Sequence, residues 1–198
     1  SVDRFIYVSS GSVYGDDPVP DEVLHEDTPP NPRSLYAIGK HTSELLTRRY
    51  GELHGLQTAS VRLGGPYGPM ERVTGHRANQ SLLKEWTGQI VRGEPIEVDD
   101  RAPRRTFTYV ADIAAGVCAV LDAASLSYDV YNNSSGGHYT PEELIETLRD
   151  IHPELRVVDS PPSEAYTRAY KLNVTRLQHD LGFAARFDLG SGLRDYFE

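Results

Sequence analysis

Tyr36 and Lys40 stand four residues apart in the stretch SLYAIGKHTSE, residues 34–44. On a helix that spacing puts both side chains on one face, one turn apart. A free phenol titrates at about 10, too high for a good base at neutral pH. An ammonium within a few ångströms favours the phenolate. Such a tyrosine can take a hydroxyl proton while hydride leaves the same carbon. Gly39, between the two, carries no side chain and lets a cofactor approach the helix closely. Lys40 is one of only three lysines in a chain whose basic residues are otherwise arginine. The pair alone is a weak signal, because a half-exposed helical tyrosine beside a solvated lysine reads the same way.

A second group of hydroxyls lies upstream. The run RFIYVSS is apolar, β-branched and aromatic, and it ends in Ser9 and Ser10 before GSVYG. It reads as a buried parallel strand, and such strands carry ligand crevices at their carboxyl ends. A serine there can hydrogen-bond the oxygen that the tyrosine deprotonates. Read alone, SSGS is a polar turn that closes a strand. Cys118, the single cysteine, sits in the apolar run AAGVCAVL and reads as a small core residue. One cysteine excludes a disulfide framework, and the seven histidines lack metal-ligand spacing, so no metal is expected.

The elements that must carry these residues alternate. After the first strand comes an acidic, proline-rich loop. Asn31 and Pro32 then read as the cap and first position of a helix to about residue 52. Leu35, Ile38, Leu45 and Leu46 are expected to form its buried stripe, and Gly55 its end. LQTASVRL reads as a strand, followed by the turn GGPYGPM, a helix over about 78–92 and the strand PIEV. RTFTYV is strand-like, and DIAAGVCAVLDAAS is an apolar helix expected to be buried on most of its surface, with Asp112 capping it. YDVYNNS, a helix over 141–151, ELRVVDS and helices over about 174–181 and 190–197 complete the chain. Strands alternating with helices predict an α/β fold with a largely parallel sheet. A net charge of −9 disfavours nucleic acid and anionic membranes as partners. No apolar run approaches the ~20 residues of a membrane span, and a cytoplasmic location is expected.

Six blocks in order give the chain a resemblance to the extended short-chain dehydrogenase/reductase family, the NAD(P)-dependent sugar epimerases and dehydratases. FIYVSSGSVYG is similar to the family's strand ending in serine or threonine before V-Y-G. EDTPPNPRSLYAIGK resembles its E-x-x-P-x-x-P-x-S-x-Y-x-x-x-K segment, and VRLGGPYGP its R-x-x-N-V-Y-G-P turn. RRTFTYVADIA, VYNNSSG and LQHDLGF resemble three later blocks. The resemblance implies a partial doubly wound, Rossmann-like parallel sheet with a smaller C-terminal substrate-binding α/β region. Residues 1–65 would be the C-terminal half of the dinucleotide domain. Residues 66–198 would be mainly the substrate region, with about 105–135 returning to the sheet.

The resemblance also implies roles. Ser10, Tyr36 and Lys40 match the catalytic set, with Tyr36 the base and Lys40 its partner and a holder of the nicotinamide ribose. Gly64 and Gly65 match the segment passing the nicotinamide. Ser12, Arg77 and Arg105 are expected to meet substrate, Arg105 through a guanidinium fork suited to a diphosphate. His76 and Asn79 are further candidates. The cofactor would be NAD or NADP, the substrate a sugar or nucleotide sugar, and the assembly a homodimer through the YxxxK helix. Three departures narrow this. No G-x-x-G-x-x-G occurs, so the chain reads as the C-terminal two-thirds of such an enzyme. Gly11 and Ser12 stand where the 4,6-dehydratases carry Asp-Glu and the sugar-nucleotide decarboxylases a glutamate at the second position, which disfavours both reactions. Gly65 stands where many nucleotide-sugar enzymes carry a substrate-touching asparagine. An epimerase or dehydrogenase is the leading expectation. A module that kept the fold without activity, or a reductase of non-sugar carbonyls, is the alternative.

Overall fold

The computed structural model describes residues 2–15, 23–72, 81–99, 102–161 and 170–198. Strand β1 (Arg4–Ser10) leads into a 3₁₀ turn, Gly11–Tyr14, and then to the short β2 (Val23–Leu24) and helix α1 (Leu35–His54). Strands β3 (Gln57–Leu63) and β4 (Pro66–Tyr67) precede α2 (Leu82–Val91), β5 (Ile96–Val98), β6 (Thr108–Tyr109) and α3 (Val110–Asp122). Strand β7 (Val130–Asn133), α4 (Pro141–Ile151), β8 (Val157–Asp159), β9 (Lys171–Leu172), α5 (Thr175–Leu181) and α6 (Leu189–Phe197) follow.

The expected parallel sheet is present, in the order β1–β3–β7. Its three strands finish in one row, with Ser10 opposite Leu63 and Leu63 opposite Asn133. The two faces differ in chemistry. Alternate residues of a strand point to opposite faces, so cross-strand partners share one. Ala59, Val61 and Tyr131 face α3 and α5 and pack with Val120 and Leu177. The other face carries the row Ser9, Arg62 and Asn132, all buried, and is roofed by α1. Among the described residues three parallel strand pairs, β2–β9, β4–β6 and β5–β8, lie outside this sheet. The largest core cluster, including Trp86, Phe107, Tyr109 and Leu144, belongs to the C-terminal region.

Several expectations change. Helix α1 starts at Leu35 because Ser34, not Asn31, supplies the cap, accepting from Ala37 N–H at 3.2 Å. Asn31 precedes a proline, which favours extended backbone, and its N–H donates to the Val13 carbonyl. The leucine stripe of α1 is reversed: Leu35, Ile38, Leu45 and Leu46 are exposed, and Ala37, Glu44 and Gly51 face the sheet. The polar row beneath the helix is the reason, since it offers charge and amides rather than hydrocarbon. Only one face of α3 is buried, and Cys118 lies on its exposed side. Asp112 does not cap α3. It is buried and accepts from the Arg186 and Phe187 N–H groups, tying the C-terminal segment to α3. Helix α2 begins at Leu82, capped by Ser81. Helix α4 follows the expectation, with Pro141 in its first turn and a Thr140–Glu143 capping box.

Candidate active site

Ser10 ends β1 and caps the 3₁₀ turn, so its side chain is fixed by the chain leaving the sheet. Its Oγ accepts from the Ser12 N–H at 3.2 Å and lies 3.0 Å from Ser12 Oγ. With a lone pair occupied by that amide, the Ser10 hydroxyl keeps its proton for an outside acceptor. Ser12 itself is buried.

Lys40 reaches down from α1 onto β1. Its Nζ donates to the Val8 carbonyl at 2.8 Å and lies 5.1 Å from the centre of the Tyr7 ring and 5.7 Å from that of Tyr36. Cations are attracted to ring faces at such distances, so two tyrosines and a carbonyl hold the ammonium in place. Val8 is two residues before Ser10 on β1, and Tyr36 is one helical turn before Lys40. Two strand residues rise about 6.6 Å and one helical turn about 5.4 Å. The antiparallel run of α1 over β1 therefore brings Tyr36 level with the strand end. Tyr36 is 57% exposed, and a Cβ on Gly39 would meet nothing within 4 Å. The helix surface beside the pair is open.

Gly64 and Gly65 leave β3 and are pinned to β6, with Thr108 Oγ1 donating to the Gly64 carbonyl and Thr108 N–H to that of Gly65. Gly65 has φ +54°, and a Cβ there would sit 1.9 Å from the Thr106 carbonyl oxygen. Arg105 lies in the wall of a separate cavity of about 130 Å³, with Trp86, Glu97, Tyr139 and Leu144. Its backbone exchanges two hydrogen bonds with Tyr139. Arg77, with His76 and Asn79, lies outside the described residues.

Two features were not anticipated. Tyr7 shares the lysine with Tyr36, which strand alternation would have placed on the α1 face with Ser9. Glu44 and Arg62 form a buried ion pair, two bonds of 2.8 and 2.9 Å, directly under α1. Burial alone would push the Glu44 carboxyl up. The hydrogen bonds and charge of Arg62, with smaller contributions from Ser9 and His41, outweigh it and hold the carboxyl below its usual range.

The profile of the NAD dependent epimerase/dehydratase family matches residues 1–133. The chain belongs to this family. It is 27% identical to the low-salt glycan biosynthesis protein Agl12 of Haloferax volcanii, over 99% of this chain and 62% of that protein. Among solved structures it is similar to a UDP-glucose 4-epimerase of Thermotoga maritima bound to UDP-glucose, with a TM-score of 0.84, 25% identity, and coverage of 100% of this chain and 63% of the other. It is also similar to RMD of Pseudomonas aeruginosa complexed with NADPH, at TM-score 0.77 and 27% identity, covering 98% and 65%. The chain thus spans less than two thirds of each of these proteins. Other relatives include dTDP-glucose 4,6-dehydratases, UDP-glucuronic acid decarboxylases, a UDP-glucuronate 4-epimerase and a GDP-6-deoxy-D-mannose reductase.

Proposed function

We propose that this chain carries the catalytic residues of an NAD(P)-dependent epimerase or dehydrogenase acting on a sugar or nucleotide-sugar hydroxyl. The observation that carries the reading is the seat of Lys40: a strand carbonyl and two tyrosine rings hold its ammonium one turn from the exposed Tyr36. Tyr36 and Lys40 would hold the nicotinamide ribose over the open surface beside Gly39, where a Cβ meets no atom. A bound nicotinamide supplies the hydride acceptor. Tyr36 takes the hydroxyl proton at its phenolic oxygen. Lys40, a positive charge beside that ring, favours the charge that forms there. Ser10 donates to the same substrate oxygen and sets its direction.

The reaction class follows from what stands beside Ser10. Elimination of a hydroxyl needs a general acid to protonate the leaving group, a part that the 4,6-dehydratases give to carboxylic acids at the positions of Gly11 and Ser12. Gly11 and Ser12 supply none, and the Ser12 hydroxyl is engaged with Ser10. This supports proton and hydride transfer without dehydration. Arg105, in the wall of the separate cavity with Tyr139, Glu97 and Asp99, carries the fork that would meet a diphosphate if the substrate is a nucleotide sugar. The test is Tyr36→Phe in the full-length protein, with a panel of nucleotide sugars and NAD or NADP. Turnover is expected to vanish while dinucleotide binding, followed by calorimetry, survives. Unchanged turnover removes the reading.

A second copy of the chain is proposed to cover the outer face of α1, where Leu46, Tyr50 and Leu53 are each more than half exposed.

A further inference from the structure

A buried ion pair beneath α1 plays no part in the chemistry just described. Glu44 and Arg62 are 5% and 4% exposed, and they meet through two parallel bonds, Arg62 Nε to Glu44 Oε1 and Nη2 to Oε2. The guanidinium lies 4.7 Å from the centre of the Tyr14 ring. The Tyr14 hydroxyl donates to Asn132 Oδ1 at 2.8 Å, and the Asn132 N–H donates to Glu26 Oε1 at 2.9 Å. The pair is thus braced from the 3₁₀ turn, the β7 strand and the loop before α1.

Stability does not account for it. Removing two charges from water costs several kcal/mol per ion, and well-packed apolar residues in their place often leave a protein as stable or more so. What an apolar pair cannot do is fix a helix in rotation and height together. Helix α1 needs that. Its other buried residues are Ala37 and Gly51, which bring the helix close but offer nothing to grip. A cavity of about 270 Å³ opens beside the pair, between His41, Leu45, Ser60 and Arg176, so side-chain packing leaves the helix unsupported there. A two-pronged guanidinium–carboxylate bond specifies direction as well as distance.

The placement of the pair matches the placement of the proposed chemistry. Glu44 lies one turn beyond Lys40 and two beyond Tyr36 on the same slanted stripe of α1. Arg62 is the direct β3 partner of Ser9, the neighbour of Ser10. We propose that Glu44 and Arg62 are positioning residues: their bond sets the rotation and height of α1, and so the approach of Tyr36 and Lys40 to Ser10. The inference rests on the hydride-transfer role proposed for Tyr36.

The test is the double variant Glu44→Leu/Arg62→Met in the full-length protein. It should melt near the wild-type temperature and lose about 10- to 100-fold in kcat, the cost of a small misplacement, with the KM for the sugar substrate little changed. Amide exchange at residues 36–40 should accelerate while that of α3 stays constant. A folded double variant with wild-type kcat overturns the proposal. If the double variant does not fold, Arg62→Lys decides. It keeps the charge but offers one prong, so kcat should fall with the melting temperature nearly held, and full kcat overturns the proposal. A wild type without turnover removes the function proposed above instead, and amide exchange at residues 36–40 then decides positioning: unchanged exchange in a folded variant refutes it.

Discussion

Gly39 and Gly65 are both glycines near the proposed cofactor path, and the structure separates their reasons. At Gly39 a Cβ meets open space on a regular helix. Alanine there should therefore stabilise the fold by about 0.5–1 kcal/mol, the usual difference between the two residues inside a helix. The same methyl group stands where the nicotinamide ribose is proposed to lie. Gly39→Ala should thus raise the urea midpoint and weaken dinucleotide binding, and an unchanged affinity would remove the ribose from that surface. Gly65→Ala should do the opposite to stability. Its φ of +54° and the 1.9 Å approach to the Thr106 carbonyl leave no room for a side chain, and a loss of about 2 kcal/mol or more is expected from strain and displacement together. The spacing of Tyr36, Lys40 and Ser10 was legible because four residues on a helix and the last residue of a strand fix where side chains go. The steric demand at Gly65 was not, because Thr106 is forty-one residues away in sequence and meets it only through the β4–β6 pairing.

At the scale of elements, the six helices and the strands β1, β3, β5, β6, β7 and β8 follow from pattern, whereas β2, β4 and β9, two residues each, were read as loop or turn or left without an element, and α1 shows where pattern fails. Its leucines predicted a buried stripe, yet they face outward and the acid Glu44 faces the sheet. A helix buries whichever face its partner surface accepts. That surface, Ser9, Arg62 and Asn132, is assembled from three strands spread over more than a hundred residues of sequence. No window along the chain contains it. The exposed leucines then require another explanation, and a second copy of the chain is the one proposed. Leu46→Glu with Leu53→Glu places two charges on that face without touching the sheet contact. Sedimentation velocity at tens of micromolar should find a dimer for the full-length wild type and a folded monomer for the variant. A variant that remains dimeric would move the interface elsewhere.

Across the whole molecule, the buried charge under α1 joins segments distant in sequence, and acid should release it. The Glu44 carboxyl has its folded value below the usual 4.5 because Arg62 outweighs the effect of burial. A depressed carboxylate contributes stability that is fully present above 4.5 and is lost as pH falls through the folded value. Arg62 keeps its charge throughout, since burial works against the cation but Glu44 and Tyr14 more than compensate. Below that point a protonated Glu44 leaves the buried guanidinium without its carboxylate partner. The net charge of −9 complicates a simple melting curve, because neutralising surface carboxylates relieves repulsion over the same range. Glu44→Gln isolates the buried pair. Glutamine resembles the protonated acid at every pH, so the variant should be less stable than wild type at pH 7. The gap in melting temperature should then close as pH falls below 4.5. A gap that stays constant from pH 7 to about 3 would mean that the charge on Glu44 does not hold α1 to the sheet.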